Sequence, residues 1–190
     1  MIHLSRRNVQ TAMFAAAMTM LAVSSGCSTA IKEGVGLVQG PKGLAAEIEP
    51  VASTEGARPL GEYTQFRIGE ISDPYHQLPA GFIDLVKQKF TQRLADSDLP
   101  LGRPGKTLEL TGVVLYFEMS SMIGKAFGPL EEVIIRTDMV DASSGQVLGK
   151  ATCIGRTTNR VNLGVEKKAD GLSKAFVDWI VANHPAGASQ

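Results

Sequence analysis

Two cysteines, three histidines and one tryptophan in 190 residues leave this chain little of the material from which disulfide scaffolds and metal centres are made. His3, His76 and His184 lie far apart in the sequence, and no Cys/His cluster has metal-ligand spacing. Neither a metal nor a cofactor is expected. Lysine plus arginine and aspartate plus glutamate stand at 19 each, so the chain as written carries no net charge. Nucleic-acid binding calls for a basic domain or stripe, and this balance argues against it. No apolar run reaches the roughly 20 residues that a transmembrane helix needs.

What is present starts at the N-terminus. Residues 1–26 hold Arg6 and Arg7 and no acidic residue. "TAMFAAAMTMLAV", residues 11–23, is apolar apart from its threonines, within the range of about 7–15 residues for a signal-peptide core. Ser24, Ser25 and Gly26 then stand directly before Cys27. A cysteine behind small residues resembles the bacterial lipobox, in which that cysteine is acylated and becomes the new N-terminus. Each buried acyl CH₂ contributes about 0.8 kcal/mol, and stable anchoring takes more than one chain. Three chains on Cys27 would meet that condition. The resemblance implies a bacterial cell-envelope protein attached to the membrane through its N-terminal lipid. Ser28, where enteric lipoproteins kept in the inner membrane carry aspartate, implies the outer membrane and a periplasm-facing domain. The alternatives are ordinary cleavage near "STA", residues 28–30, which would leave a secreted or periplasmic protein, and a cytosolic N-terminal helix. "SRR", residues 5–7, is similar to part of a twin-arginine signal, but Val9 stands where that motif prefers phenylalanine, so it reads as a generic basic n-region.

Removing residues 1–26 takes two arginines from 19 basic residues and leaves 17 against 19 acidic ones. Residues 27–60 read as a lipidated N-terminus and flexible tether, rich in glycine, proline and alanine, with 45–51 placed to lie against the domain. "GVGLVQG", residues 34–40, has glycine spacing unlike a nucleotide loop, and "GPKG", residues 40–43, lacks the Walker pattern. If Cys27 carries lipid, Cys153 has no partner for an intramolecular disulfide.

Residues 61–186 read as one α+β domain, followed by a disordered tail over 187–190. "YTQFRIGEI", 63–71, is a strand with Phe66 and Ile68 on one face. Residues 80–99 are helical, with Phe82, Val86, Phe90 and Leu94 as the apolar stripe. Residues 106–120 form a long strand whose phase switches at Gly112. Residues 131–141 alternate, with Val133, Ile135, Thr137 and Met139 inward. "ASSG", 142–145, is a hairpin turn with Gly145 at positive φ. Residues 146–158 run back, with Val147, Gly149, Ala151, Cys153 and Gly155 sharing a face. Residues 166–184 are the last helix, striped by Leu172, Phe176, Trp179 and Ile180. The order β-α-β-β-β-α implies a mostly antiparallel four-stranded sheet with two helices packed on one face.

Residues 128–158 and the "GLSKAFVDWI" helix resemble a group of bacterial lipoproteins known only as domains of unknown function. Their shared pattern is a glycine-rich loop, a strand, an Asp-x-x-[ST]-Gly turn, a second strand and an amphipathic helix. Asp141, Ser144 and Gly145 match the turn. More loosely, the element order is similar to the curli-secretion lipoprotein and the TolB N-terminal domain. These motifs specify a fold and carry no chemistry. The leading expectation is therefore an interaction or assembly module with an envelope protein partner, able to form oligomers, and not an enzyme. "MIGKAFGPL", 122–130, is longer and more apolar than a hairpin requires. Met122, Ile123, Phe127 and Leu130 are its candidate partner-binding residues, unless the loop folds back over the core.

No catalytic residue stands out. Glu131 and Glu132 are adjacent, and adjacent strand residues face opposite ways. Ser120 and Ser121 have no histidine nearby in sequence and no nucleophile-elbow glycines. Cys153 reads as a small buried hydrophobe and Trp179 as a core anchor. The alternative function is an envelope enzyme, or a small-ligand or anion-binding protein using the Arg156–Arg160 loop region, with His76 the other place to look for a cleft.

Overall fold

Every second residue from Val133 to Met139 is apolar or threonine, and a period of two puts such residues on one face of a strand. In the computed structural model of the protein, which describes residues 42–51, 59–118, 131–157 and 164–188, these residues form β4 (Glu132–Asp141) and are all buried. β4 pairs antiparallel with β5 (Val147–Arg156) around the turn 142–145. Gly145 has φ +74° in that turn, a region open to glycine at no steric cost. Asp141 fixes it: one carboxylate oxygen accepts the backbone N–H of Ser143 and of Ser144 at 2.8 and 3.0 Å. β3 (Lys106–Phe117) flanks β4 on its other side, antiparallel. β2 (Tyr63–Ser72) pairs parallel with β3 after a crossover through helix α1 (Phe82–Ala95).

Among the described residues the sheet has five strands, not four. β1 (Lys42–Glu49) lies inside the stretch read as a flexible tether. It runs antiparallel to β5, with Lys42 opposite Arg156 and Gly43 opposite Gly155. The sheet order is β1-β5-β4-β3-β2, with one parallel pairing at the β2 edge. Glycine content is what makes β1 look like linker, and here it has a packing reason. Helix α2 (Val165–Asn183) sits so close that a Cβ on Gly43 would fall 2.3 Å from the Gly171 carbonyl oxygen and 2.4 Å from the Ala175 nitrogen. A Cβ on Gly155 would meet the Lys168 carbonyl oxygen and the Leu172 nitrogen at 2.5 Å. Only residues without side chains let strand and helix backbones touch at this corner.

The inner face is graded in size. Gly43, Gly155, Val133 and Phe117 stand opposite one another across β1, β5, β4 and β3. Helix α2 rests on the glycine end of this row. At the other end Phe82 of α1 meets Phe117 edge-on, with ring centroids 5.1 Å apart. Both helices therefore cover one face, and Phe90 against Phe176, at 6.4 Å, joins them. The stripes Phe82, Val86, Phe90, Leu94 and Leu172, Phe176, Trp179, Ile180 are all buried, as expected.

Three local expectations are corrected. β3 keeps its phase through Gly112, with Leu108, Leu110 and Val114 all buried. The register slips instead between Val114 and Tyr116. A bulge there exposes Leu115 and Tyr116 and returns Phe117 to the core. Val147 is exposed rather than sharing the inner face of β5, because the β4–β5 register shifts beside it, between Met139 and Val140. A 3-10 turn, Pro185–Ala188, takes in residues 187 and 188 of the stretch read as a disordered tail.

Candidate functional site

The inward positions of β4 begin and end on carboxylates. Glu131, just before the strand, and Asp141, its last residue, share the parity of Val133 to Met139 and are buried with them. A carboxylate in such a place needs partners.

At the Glu131 end the partner is Lys168 of α2. Its Nζ lies 3.3 Å from Glu131 Oε2, and the two side chains are 3% and 4% exposed. Lys168 Nζ also donates to the Glu118 carbonyl oxygen at 2.5 Å and lies 4.1 Å from the centre of the Phe117 ring. Glu131 Oε2 accepts the Gly164 N–H at 2.9 Å, and the Glu131 carbonyl oxygen accepts the Thr157 N–H at 3.0 Å. Glu118 follows β3, Glu131 precedes β4, Thr157 follows β5 and Gly164 precedes α2. One ion pair thus ties together the four chain positions that border segments 119–130 and 158–163.

At the other end Tyr63 donates its hydroxyl to Asp141 Oδ2 at 2.8 Å. The Ser143 hydroxyl, the Ser144 N–H and the Tyr63 hydroxyl hold the Asp141 carboxyl well below the usual carboxylate range. Burial, and then the bond to Asp141, push the Tyr63 phenol up. Lys106 bridges to Glu62 at 2.6 Å and stands 3.9 Å from Asp141. His184 packs beneath this cluster, its Nε2 3.1 Å from the Tyr63 carbonyl oxygen, while its Nδ1 accepts the Ala186 N–H at 3.1 Å. That pair of bonds requires a neutral ring with its proton on Nε2. Burial lowers the His184 pKa, partly offset by the Tyr63 carbonyl.

Of the residues singled out in the sequence, Cys27, Ser120, Ser121, Met122, Ile123, Phe127, Leu130 and Arg160 lie outside the described residues. Arg156 ends β5 half-exposed and pairs with the Glu132 carboxylate, Nη2 to Oε2 2.7 Å. Glu131 is buried while Glu132 pairs at the surface, the opposite facing expected of neighbours on a strand. His76 is exposed in the turn after β2, where Asp73 accepts the N–H groups of Gln77 and Leu78. Cys153 is fully buried, and burial pushes its thiol up to about 12. Trp179 is buried in the core and donates Nε1 to Glu47 Oε1 at 3.0 Å. Lys168 was not singled out, yet a signal for it exists: it stands four residues before Leu172, on the apolar stripe of its helix.

Among the described residues no group of three or more His, Cys, Asp or Glu side chains could hold a metal ion, and no helix is long and apolar enough to cross a membrane. No family model matches the chain, and no curated protein matches it. Among solved structures it is similar to a PelC dodecamer from Paraburkholderia phytofirmans, at 14% identity over 72% of this chain and 96% of that one, TM-score 0.46. It is similar also to a Xanthomonas campestris protein of family DUF330, at 14% identity over 76% of this chain and 96% of that one, TM-score 0.43. A third is a Caulobacter crescentus protein described as a candidate lipoprotein, at 13% identity over 65% and 93%, TM-score 0.37. At such identities and scores the likeness decides neither family nor function. The looser resemblance to the curli-secretion and TolB proteins is not confirmed by it.

Proposed function

We propose that this is a lipid-anchored protein of the bacterial cell envelope, held in the outer membrane by acyl chains on Cys27, whose α+β domain faces the periplasm and works by binding or assembling with protein. The observation that carries the reading is the junction Ser24-Ser25-Gly26-Cys27 directly behind the apolar run 11–23. Chemistry inside the domain favours binding over catalysis. A general acid or base must reach the proton it transfers. Glu131 and Lys168 are shut into the core, where they hold the backbone of Gly164 and Glu118. The surface cation of the anion-binding alternative, Arg156, is already engaged by Glu132.

Cys27→Ala tests the anchor. Cells expressing the full chain are labelled with radioactive palmitate and fractionated. The native chain should carry label and follow the membranes, whereas the variant should lose the label and either become soluble or stall with residues 1–26 attached. An unmodified mature N-terminus downstream of residue 27 in the native protein would overturn the reading.

A further inference from the structure

The last helix ends on a histidine that the fold uses as a base. His184 caps α2 and is 3% exposed. Its ring meets the Phe66 ring edge-on, centroids 6.2 Å apart, and both ring nitrogens are committed to backbone groups: Nε2 donates to the Tyr63 carbonyl oxygen, and Nδ1 accepts the Ala186 N–H. Ala186 belongs to the 3-10 turn Pro185–Ala188. That turn lies against a second one, Pro59–Glu62, in which Leu60 is fully buried and a Cβ on Gly61 would stand 3.2 Å from Pro185 Cγ. We propose that His184 is an acid-operated latch: its neutral ring pins the turn Pro185–Ala188 onto the turn Pro59–Glu62, and protonation of the ring lets that turn go while the sheet stays folded.

The device follows from the donor and acceptor count of the ring. A neutral imidazole has one donor nitrogen and one acceptor nitrogen, whereas an imidazolium has two donors. A carbonyl can only accept, so Nε2 carries the proton of the neutral ring and Nδ1 keeps the lone pair that the Ala186 N–H needs. A proton added at Nδ1 consumes that lone pair. Two hydrogens would then point at each other across the 3.1 Å between Nδ1 and the Ala186 nitrogen, and an attraction becomes a repulsion. The cation has better partners outside this seat, in water and at the carbonyl end of a helix, where positive charge is favoured. Closed and open states therefore differ in affinity for one proton, which is the condition for a ligand to shift a conformational equilibrium.

The turn itself, Pro-Ala-Gly-Ala, brings no charged group. Among the described residues, the titratable groups on the elements packed against the ring are Glu62 and Tyr63, with Lys106 and Asp141 joined to them. Tyr63 donates to Asp141, and Lys106 bridges to Glu62. Arg67 and Glu70 are exposed further along β2, and Asp178 on α2 pairs with Lys174. Tyr63 and Lys106 are held above their ordinary values and Asp141 below its own, so none of the three changes charge around about pH 6. Burial lowers the pKa of His184 from its ordinary 6.5, partly offset by the Tyr63 carbonyl. The latch is thus closed at neutral pH and opens as pH falls through the folded value of the ring.

The latch does not involve the lipid, so the test uses the full chain with Cys27→Ser. NMR of the ring nitrogens reads the tautomer and the midpoint of His184, and amide hydrogen exchange reads the protection of Ala186 beside that of Ile135 in β4. At neutral pH the ring should carry its proton on Nε2 and the Ala186 amide should be protected. Below the midpoint of the ring, Ala186 protection, corrected for intrinsic exchange, should fall about tenfold for each pH unit, because each opening takes up one proton. Ile135 should keep its protection over the same range. In His184→Gln the Ala186 amide should exchange without that slope. A neutral ring protonated on Nδ1, or a ring that titrates while Ala186 stays protected, would overturn the proposal. So would Ala186 and Ile135 opening together, which is unfolding of the whole domain, or the slope persisting in His184→Gln. None of these results touches the anchor, which palmitate labelling reads separately.

Discussion

Lys168→Met isolates what the buried ion pair contributes. Methionine keeps the length and packing of the side chain and removes the charge. Glu131 would then remain 3% exposed, with its carboxylate charge uncompensated by Lys168, and the Glu118 carbonyl oxygen would lose its donor. Removing one partner of a buried pair costs about 3–5 kcal/mol, because the remaining charge stays desolvated. For a domain of this size each kcal/mol moves the melting temperature by about 2–4 °C, so the midpoint should fall by roughly 6–20 °C. Replacing both partners with apolar residues of similar volume is often neutral or stabilising. Glu131→Leu with Lys168→Met should therefore be more stable than Lys168→Met alone. The assay is urea unfolding of the four members of the cycle, followed by Trp179 fluorescence, with the coupling energy taken from the cycle. A single-variant cost below about 1 kcal/mol, or a double variant whose cost equals the sum of the singles, would refute the idea that the two charges depend on each other.

Gly155→Ala should cost about 1–3 kcal/mol, since its Cβ would meet helix backbone at 2.5 Å and the backbone must move; an unchanged melting temperature would mean that α2 does not rest on the sheet at this corner. Trp179→Ala should cost about 3–5 kcal/mol, the range for truncating a buried large aromatic, and a cost under about 1 kcal/mol would show an exposed ring. Stability should fall on acidification below about pH 6.5. Because burial lowers the folded pKa of His184, the unfolded chain binds the proton more readily; the contribution of the neutral ring is fully present above the unfolded value near 6.5 and is lost as pH falls through the folded one. His184→Gln should flatten the slope just below pH 6.5 in denaturant titrations, and a slope unchanged by the substitution would assign the effect elsewhere. Asp141, whose pKa is lowered, loses its contribution in a separate, more acidic window, as pH falls below the ordinary carboxylate range near 4.

The helices and four of the five described strands were legible because each buries one face over most of its length at a regular period. Phe82, Val86, Phe90 and Leu94 recur every four residues, and Val133 to Met139 every two, so local pattern and tertiary burial agree. β1 was not legible for the opposite reason. Its inward residues are Gly43, Ala45 and Glu47, and what calls for glycine there is the backbone of α2, far away in sequence. The phase change in β3 was assigned to Gly112 because glycine often marks a bulge. The actual bulge sits at Leu115, where the sequence carries no mark, and it is set by bringing Phe117 under Phe82. Part of the buried site was readable. Glu131 has inward parity and Lys168 lies on an apolar helix stripe, so each predicts an unusual burial. Their meeting depends on how β4 and α2 are juxtaposed, which no local pattern encodes.

Gly43 against Gly171 also orders events in time. The first strand of the domain finds its seat only on β5 and the last helix, at nearly the opposite end of the described chain. A chain emerging N-terminus first presents β1 before either surface for it exists. Its pairing spans a very long loop, the kind of contact that slows folding. β1 therefore waits in water without a sheet partner until β5 and α2 have emerged, and any factor that shields extended apolar segments during export or synthesis will meet Leu44 and Ile48 before the apolar residues of the other strands. Truncation within α2 should accordingly release β1 at the far end of the domain before it disturbs the β3–β4 centre.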